Sequence, residues 1–153
     1  MSVLALKIPP PIVVLVCGAG MWLVAKYGPS IGVPRAARVA AALIVCALGI
    51  SVMLAGVFSF RRAKTTTNPL TPNRSTALVT NGVYRYTRNP MYLGMLVVLV
   101  AWTVFLSSPV ALVGPLAFWL YIEKFQILPE ERALTVLFGS SFEDYTARVR
   151  RWL

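Results

Sequence analysis

Histidine is absent from this 153-residue chain, and aspartate and glutamate together number only five. Without an imidazole, no side chain titrates near neutral pH by default, so proton abstraction must fall to a carboxylate, a tyrosine, water or the substrate. The two cysteines, Cys17 and Cys46, lie within apolar runs and far from any further cysteine. This pattern argues against a disulfide framework and against a metal site, so no metal ion is expected.

Charged residues of either sign are also scarce, at 13% of the chain, whereas hydrophobic residues make up 58%. A soluble domain usually carries about 25% charged residues. The deficit and the long apolar runs predict an all-α integral membrane protein, too short for more than one domain. Lysine and arginine outnumber aspartate and glutamate by 15 to 5. Anionic head groups attract such cations, so the expected partner is the lipid bilayer and not a nucleic acid.

Four apolar runs predict about four transmembrane helices: residues 12–25, 36–60, 91–106 and 110–122. The second run of about 25 residues is long enough for ~30 Å of hydrocarbon, whereas the third is short for a full span. We expect the last two helices to form a hairpin. In the second run, small residues indicate close helix packing: Gly49, Ser51, Ala55, Gly56 and Ser59.

Two short helices are predicted after the last apolar run. Pro129 suits a first helical position, and Gly139 is a plausible stop. The segment 141–144 resembles a capping box for the second helix, which is expected to lie on the head groups. Its predicted apolar face holds Phe142, Tyr145, Val149 and Trp152, with Arg148, Arg150 and Arg151 pointing elsewhere.

The distribution of cations predicts the orientation. With an even number of spans, twelve of the fifteen lysines and arginines fall on the side of both termini, and Lys26, Arg35 and Arg38 fall on the other. Positively charged segments collect in the cytoplasm. Both termini are therefore expected there, in what we expect to be a bacterial inner membrane.

Residues 81–92 bring arginines, tyrosines and a proline to the start of an apolar helix. Tyrosine and arginine at a membrane boundary are ordinary anchors. However, Asn89 before Pro90 places a hydrogen-bonding amide at a helix start, which suits a polar cofactor. Glu130 and Glu131 are also favourable charges at an ordinary helix N-terminus. Together with Arg85 and Arg88, however, they would give one site the two charge signs that a zwitterionic ligand needs.

These motifs resemble those of the isoprenylcysteine carboxyl methyltransferase and phospholipid methyltransferase group, integral membrane enzymes that use S-adenosylmethionine. The resemblance covers roughly residues 60–153, after a generic N-terminal helix pair in residues 1–60. The motifs that carry it are Asn81-Gly82-Val83-Tyr84, Arg88-Asn89-Pro90-Met91-Tyr92-Leu93-Gly94, Glu130-Glu131 and Phe138-Gly139 followed by Phe142 and Tyr145.

The resemblance implies a cofactor site within residues 61–153. Its cofactor-binding residues would be Thr76, Ala77, Leu78, Val79, Tyr84, Asn89, Pro90, Met91, Tyr92 and Glu130. Glu131 and Arg132 are the candidate catalytic residues, with Glu131 as the nearest base for an amine acceptor. Asn89 stands where the family usually has histidine, and Gln126 stands where prenylcysteine enzymes have a substrate-binding arginine. A neutral amide at Gln126 binds a carboxylate less strongly than arginine does.

The expected function is methyl transfer to a lipid-like or small apolar acceptor, whose reacting group is left open among carboxylate, thiol and amine. One alternative is an NADPH-dependent membrane reductase of the sterol-reductase type. Another is a non-enzymatic four-helix transporter or lipid-binding protein. A proton-coupled exporter would require a carboxylate within the spans, and the sequence has none before Glu123.

Overall fold

The structure, a computed structural model, describes residues 6–63 and 78–153. All regular elements in these two stretches are helical, as predicted. Six α-helices are α1 (Pro10–Tyr27), α2 (Arg35–Arg62), α3 (Pro90–Leu106), α4 (Val113–Ile122), α5 (Leu128–Phe138) and α6 (Ser140–Arg148). Short 3₁₀ turns cover Gly82–Arg85 and Pro109–Leu112, and a π-helical segment covers Glu123–Ile127.

Three helical stretches of the described chain are long and apolar enough to cross a membrane: Pro10–Tyr27, Arg35–Arg62 and Pro109–Phe138. The apolar helix α3 is shorter, at 17 residues, or about 25 Å at 1.5 Å per residue. The prediction of an all-α integral membrane protein is confirmed.

The helix predicted to begin at Pro129 and to stop at Gly139 is observed as α5, with the proline in its first turn, but it is continuous with the fourth apolar helix. Backbone angles remain helical from Ile122 through Leu128, across the π-helical segment. A proline clashes with the carbonyl four residues earlier, here that of Phe125. That carbonyl accepts a hydrogen bond from the amide of Leu6 at 3.0 Å. The wider turn accommodates the proline without breaking the helix.

Helices α2 and α3 pack so closely that glycine is needed on both. A Cβ added at Gly94 would lie 2.5 Å from the Gly49 carbonyl oxygen, and one at Gly49 would lie 2.8 Å from the Gly94 carbonyl oxygen. A Cβ at Gly56 would lie 3.1 Å from Cγ of Pro90. Close packing is therefore confirmed at Gly49 and Gly56. Ser51, in contrast, is exposed and bonds within its own helix.

Helix α1 lies against α3 and α4, where Met21, Leu99 and Phe118 form part of the buried core. At one end of the bundle, the hydroxyls of Ser107 and Ser108 donate to carbonyls of the loop 28–34. We call this the far end. The opposite end holds all five carboxylates of the chain, Glu123, Glu130, Glu131, Glu143 and Asp144, and is called the carboxylate end.

Candidate functional site

The approach to α3 begins with a turn that requires glycine. Gly82 has a φ of +64°, a conformation that side chains disfavour. The 3₁₀ turn that starts there buries Tyr84, whose ring meets Phe60 of α2 edge-on at 5.3 Å between centroids. Tyr84 is thus fixed between the end of α2 and the start of α3.

A direct hydrogen bond joins the two sequence motifs that lie 38 residues apart. The hydroxyl of Tyr92, in the first turn of α3, donates to Oε1 of Glu130 at 2.5 Å. Glu130 lies in the first turn of α5, and Tyr92 is buried. The structure therefore brings the Asn89–Tyr92 segment and the Glu130-Glu131 pair to one place.

Beside this bond lies a cluster of ion pairs. Glu131 forms an ion pair with Nη2 of Arg88 at 3.1 Å and accepts hydrogen bonds from Nε and Nη2 of Arg151 at 3.1 and 2.7 Å. Arg151 also pairs with Glu123, whose second oxygen accepts from the indole N–H of Trp152 at 2.8 Å. Two arginines and two carboxylates are thus paired beside the first turn of α5, and Nε of Arg88 is buried without a hydrogen-bond partner among the described residues.

The C-terminal tail lies along the segment that precedes α3. The carbonyl of Arg151 accepts from the side-chain amide of Asn89 at 2.9 Å and from the hydroxyl of Thr87 at 3.3 Å. The amide of Arg88 donates to the carbonyl of Arg150 at 3.1 Å. Because Asn89 is engaged in this way, no side chain caps the N-terminus of α3.

Helix α6 packs onto the same region through Tyr145, whose hydroxyl donates to the Tyr84 carbonyl at 2.7 Å. Burial raises the pKa of Tyr145 to about 12, partly offset by the nearby charge of Arg88. Burial also raises the pKa of Tyr84, with smaller contributions from Tyr145 and Glu130. The hydrogen bonds to Glu131 raise the pKa of Arg151 above its ordinary value. Both tyrosines are therefore neutral, and Arg151 is a fixed cation.

Two predictions about the tail are wrong. No side chain caps α6, because the amides of Phe142 and Glu143 donate to the carbonyl of Gly139, which has a φ of +50°. The helix also ends at Arg148, so helical periodicity does not extend to Arg151. Its guanidinium therefore points into the ion-pair cluster and not away from the protein.

The remaining predicted site residues are placed as follows. Thr76 and Ala77 lie outside the described residues; Leu78 is partly buried and Val79 is buried. Pro90 and Met91 contact Gly56 of α2. Their assignment to cofactor binding stays a prediction.

Of the other predicted residues, Arg132 is exposed on α5. Gln126 is fully buried, and its Nε2 donates to the Ile8 carbonyl at 2.7 Å. Its Oε1 has no hydrogen-bond partner among the described residues. Their catalytic and substrate-binding roles stay predictions.

Sequence reasoning missed four residues of this region: Thr87, Glu123, Arg151 and Trp152. A signal existed for Glu123, since a carboxylate at the end of an apolar helix requires a partner. For Arg151, no local pattern distinguishes it from the neighbouring Arg148 and Arg150.

Comparison with known proteins places the chain in a family. The sequence profile described as phospholipid methyltransferase matches residues 37–141. An uncharacterised protein of Haemophilus influenzae is 44% identical over 63 residues, which are 41% of this chain and the whole of that protein.

Relatives with assigned names match over about half of the chain. Protein-S-isoprenylcysteine O-methyltransferase of Dictyostelium discoideum is 40% identical over 73 residues, 47% of this chain and 30% of that enzyme. The Schizosaccharomyces pombe protein of the same name is 33% identical over 78 residues, 50% of this chain and 33% of that protein. The chain thus spans about a third of the length of these two relatives. With the profile matching more than half of its residues, the chain belongs to the phospholipid methyltransferase family, and it is also similar to proteins named isoprenylcysteine methyltransferases.

Proposed function

We propose that this protein is a membrane methyltransferase that uses S-adenosylmethionine and transfers its methyl group to a lipid-like or small apolar acceptor. Family membership supports the reaction class. The observation that carries the site is the contact between Tyr92 and Glu130 beside the Arg88–Glu131–Arg151 cluster.

The residues present fit a cofactor with both charge signs. Within residues 6–63 and 78–153, Glu130 has a tyrosine partner and no cationic one, whereas Glu123 and Glu131 are paired with arginine. Glu130 is therefore the carboxylate available for a cationic group, such as the ammonium or sulfonium of the cofactor. The first turn of α3, which no side chain caps, offers amides to the cofactor's polar acceptors.

S-Adenosylmethionine supplies an activated methyl group, and its direct displacement depends chiefly on alignment with the acceptor. A carboxylate or thiolate acceptor needs no base, which is compatible with the absence of histidine. An amine acceptor would need one, but both oxygens of Glu131 already accept from guanidinium groups. This arrangement favours Glu131 as a positioning residue and favours an acceptor that ionises without help.

The site is proposed to face the cytoplasm. Among residues 6–63 and 78–153, Lys26, Arg35 and Arg38 lie toward the far end, and the other ten cations lie in segments that belong to the carboxylate end. By the positive-inside rule, the carboxylate end is cytoplasmic. The soluble cofactor would then enter from the cytoplasm and an apolar acceptor from the bilayer.

Calorimetry on the detergent-purified protein tests this proposal. We expect saturable binding of S-adenosylmethionine and of its demethylated product, and none of NADPH. Glu130→Gln keeps an acceptor for Tyr92 but removes the carboxylate that would pair with the cofactor's cationic group, so affinity for both ligands should fall by about 10- to 100-fold, as expected for a charged hydrogen bond of ~1.5–3 kcal/mol.

Glu143→Gln, which changes an exposed side chain of α6, is the matched control and should bind like the unaltered protein. NADPH binding without methyl-donor binding would favour the reductase alternative. Equal affinities of Glu130→Gln and Glu143→Gln would refute the site.

A further inference from the structure

An apolar groove lies in the membrane-spanning part, apart from the cluster at the carboxylate end. Its volume is about 550 Å³, within the range of sites that bind small molecules. The walls come from α1, including Gly18 and Trp22, and from α2, including Ala42 and Cys46. Side chains of α3, among them Trp102, form the floor.

Few polar groups are available in the groove to hydrogen-bond water. The indole N–H of Trp102, the polar group of its floor, donates to the Gly18 carbonyl at 3.1 Å. Trp22 carries a second indole N–H and Cys46 a weakly polar thiol, and the other lining residues are glycine or have hydrocarbon side chains. Water requires several polar partners to occupy a cavity, so hydrocarbon is the chemistry that fits this space.

Cations stand at the far end of both walls. Arg38 lies one turn before Ala42 on α2, and Lys26 lies one turn after Trp22 on α1, with its ammonium 5.8 Å from the Trp22 ring centroid. The sequence has no aspartate or glutamate before Glu123, so this end of the groove has no carboxylate from residues 6–122.

The start of α2 is also electrostatically unsatisfied. Arg35 and Arg38 stand at the positive end of the helix dipole, where cations are disfavoured, and the first turn holds no acidic residue and no side-chain cap. Nε of Arg38 is buried and has no hydrogen-bond partner among the described residues. A phosphate would satisfy both the guanidinium and the helix N-terminus.

We propose that this groove binds one anionic phospholipid of the far leaflet, with an acyl chain along α3 and its phosphate on Arg38 at the start of α2. The lipid is distinct from the methyl acceptor. About 22 residues of α2 separate Arg38 from Phe60 at the level of Tyr84, or ~33 Å at 1.5 Å per residue. The head group therefore lies across the membrane from the proposed methyl-transfer site.

Native mass spectrometry of the detergent-purified protein tests the proposal, with phosphatidylglycerol and phosphatidylcholine of identical chains as probes. We expect one bound phosphatidylglycerol per chain, with at least tenfold preference over phosphatidylcholine. Arg38→Gln should abolish the preference. Arg62→Gln, at the other end of the same helix and exposed, should retain it.

Two glycine variants test the groove itself. Gly18 and Gly20 both have nothing within 4 Å of an added Cβ, but only Gly18 lines the groove. Gly18→Leu should therefore remove lipid binding while Gly20→Leu preserves it, with similar thermal unfolding.

Three results would each overturn the proposal. These are equal lipid binding by the two glycine variants, equal affinity for the two head groups, and a lipid-free dimer that Gly18→Leu dissociates. The third would show that a second copy fills the groove. None of these readouts depends on methyl transfer, so the two proposals stand or fall separately.

Discussion

Replacing Arg151 with methionine should release the C-terminal tail from the start of α3. Methionine retains much of the apolar stem but removes the guanidinium that bonds Glu131 at 3.1 and 2.7 Å and pairs with Glu123. Two partly buried carboxylates would then lose their shared cation, although Glu131 would keep Arg88.

The magnitude follows from the exposure of the three side chains. Their relative exposures are 31% for Arg151, 19% for Glu131 and 24% for Glu123. Exposed ion pairs contribute ~0–1 kcal/mol, and breaking a buried one costs ~3–5 kcal/mol. An intermediate loss of about 2 kcal/mol is expected, which corresponds to about a 30-fold change in the opening equilibrium of the tail.

Hydrogen exchange measures this opening at a single amide. The amide of Arg88 donates to the carbonyl of Arg150, so its exchange should accelerate about 30-fold in Arg151→Met. Arg148→Met is the matched control, since Arg148 is exposed and its guanidinium bonds only the local carbonyl of Asp144 among the described residues. Equal protection of the Arg88 amide in the two variants would refute the argument that Arg151 holds the tail in place.

Two further predictions concern packing and pH. Gly94→Ala should destabilise the protein by ~1–3 kcal/mol because the new Cβ meets the Gly49 carbonyl. Gly20→Ala, where the added Cβ has open space, should be neutral or stabilising. Thermal unfolding in detergent distinguishes the two variants, and equal midpoints would contradict close packing of α2 and α3. Tyr145 donates as a neutral hydroxyl to the Tyr84 carbonyl, and its pKa is raised from 10 to about 12. Its stabilising contribution should therefore be complete below pH 10 and lost as the pH rises through about 12. Tyr145→Phe should remove that part of the pH dependence of unfolding, and an unchanged alkaline profile would be the contrary result.

The tertiary structure also explains why some local patterns misled. Ser141 to Asp144 has the composition of a capping box, but Gly139 ends α5 with a positive φ and supplies the first carbonyl of α6. Proline at position 129 is typical of the first turn of a helix, yet the π-helical segment before it makes α5 continuous with α4. In both cases the competing signal depends on backbone conformation several residues away.

Composition and apolar run length by themselves determined that this is an all-α membrane protein, because the bilayer requires about 20 apolar residues with internally bonded backbone for each span. The motifs between residues 81 and 131 likewise identified the family and the two segments of the candidate site. Only the tertiary structure decided that Tyr92 bonds Glu130 and that Arg151 joins Glu123 to Glu131. Such pairs depend on how distant segments pack, and residues 20 to 38 positions apart leave no periodic signal in the sequence.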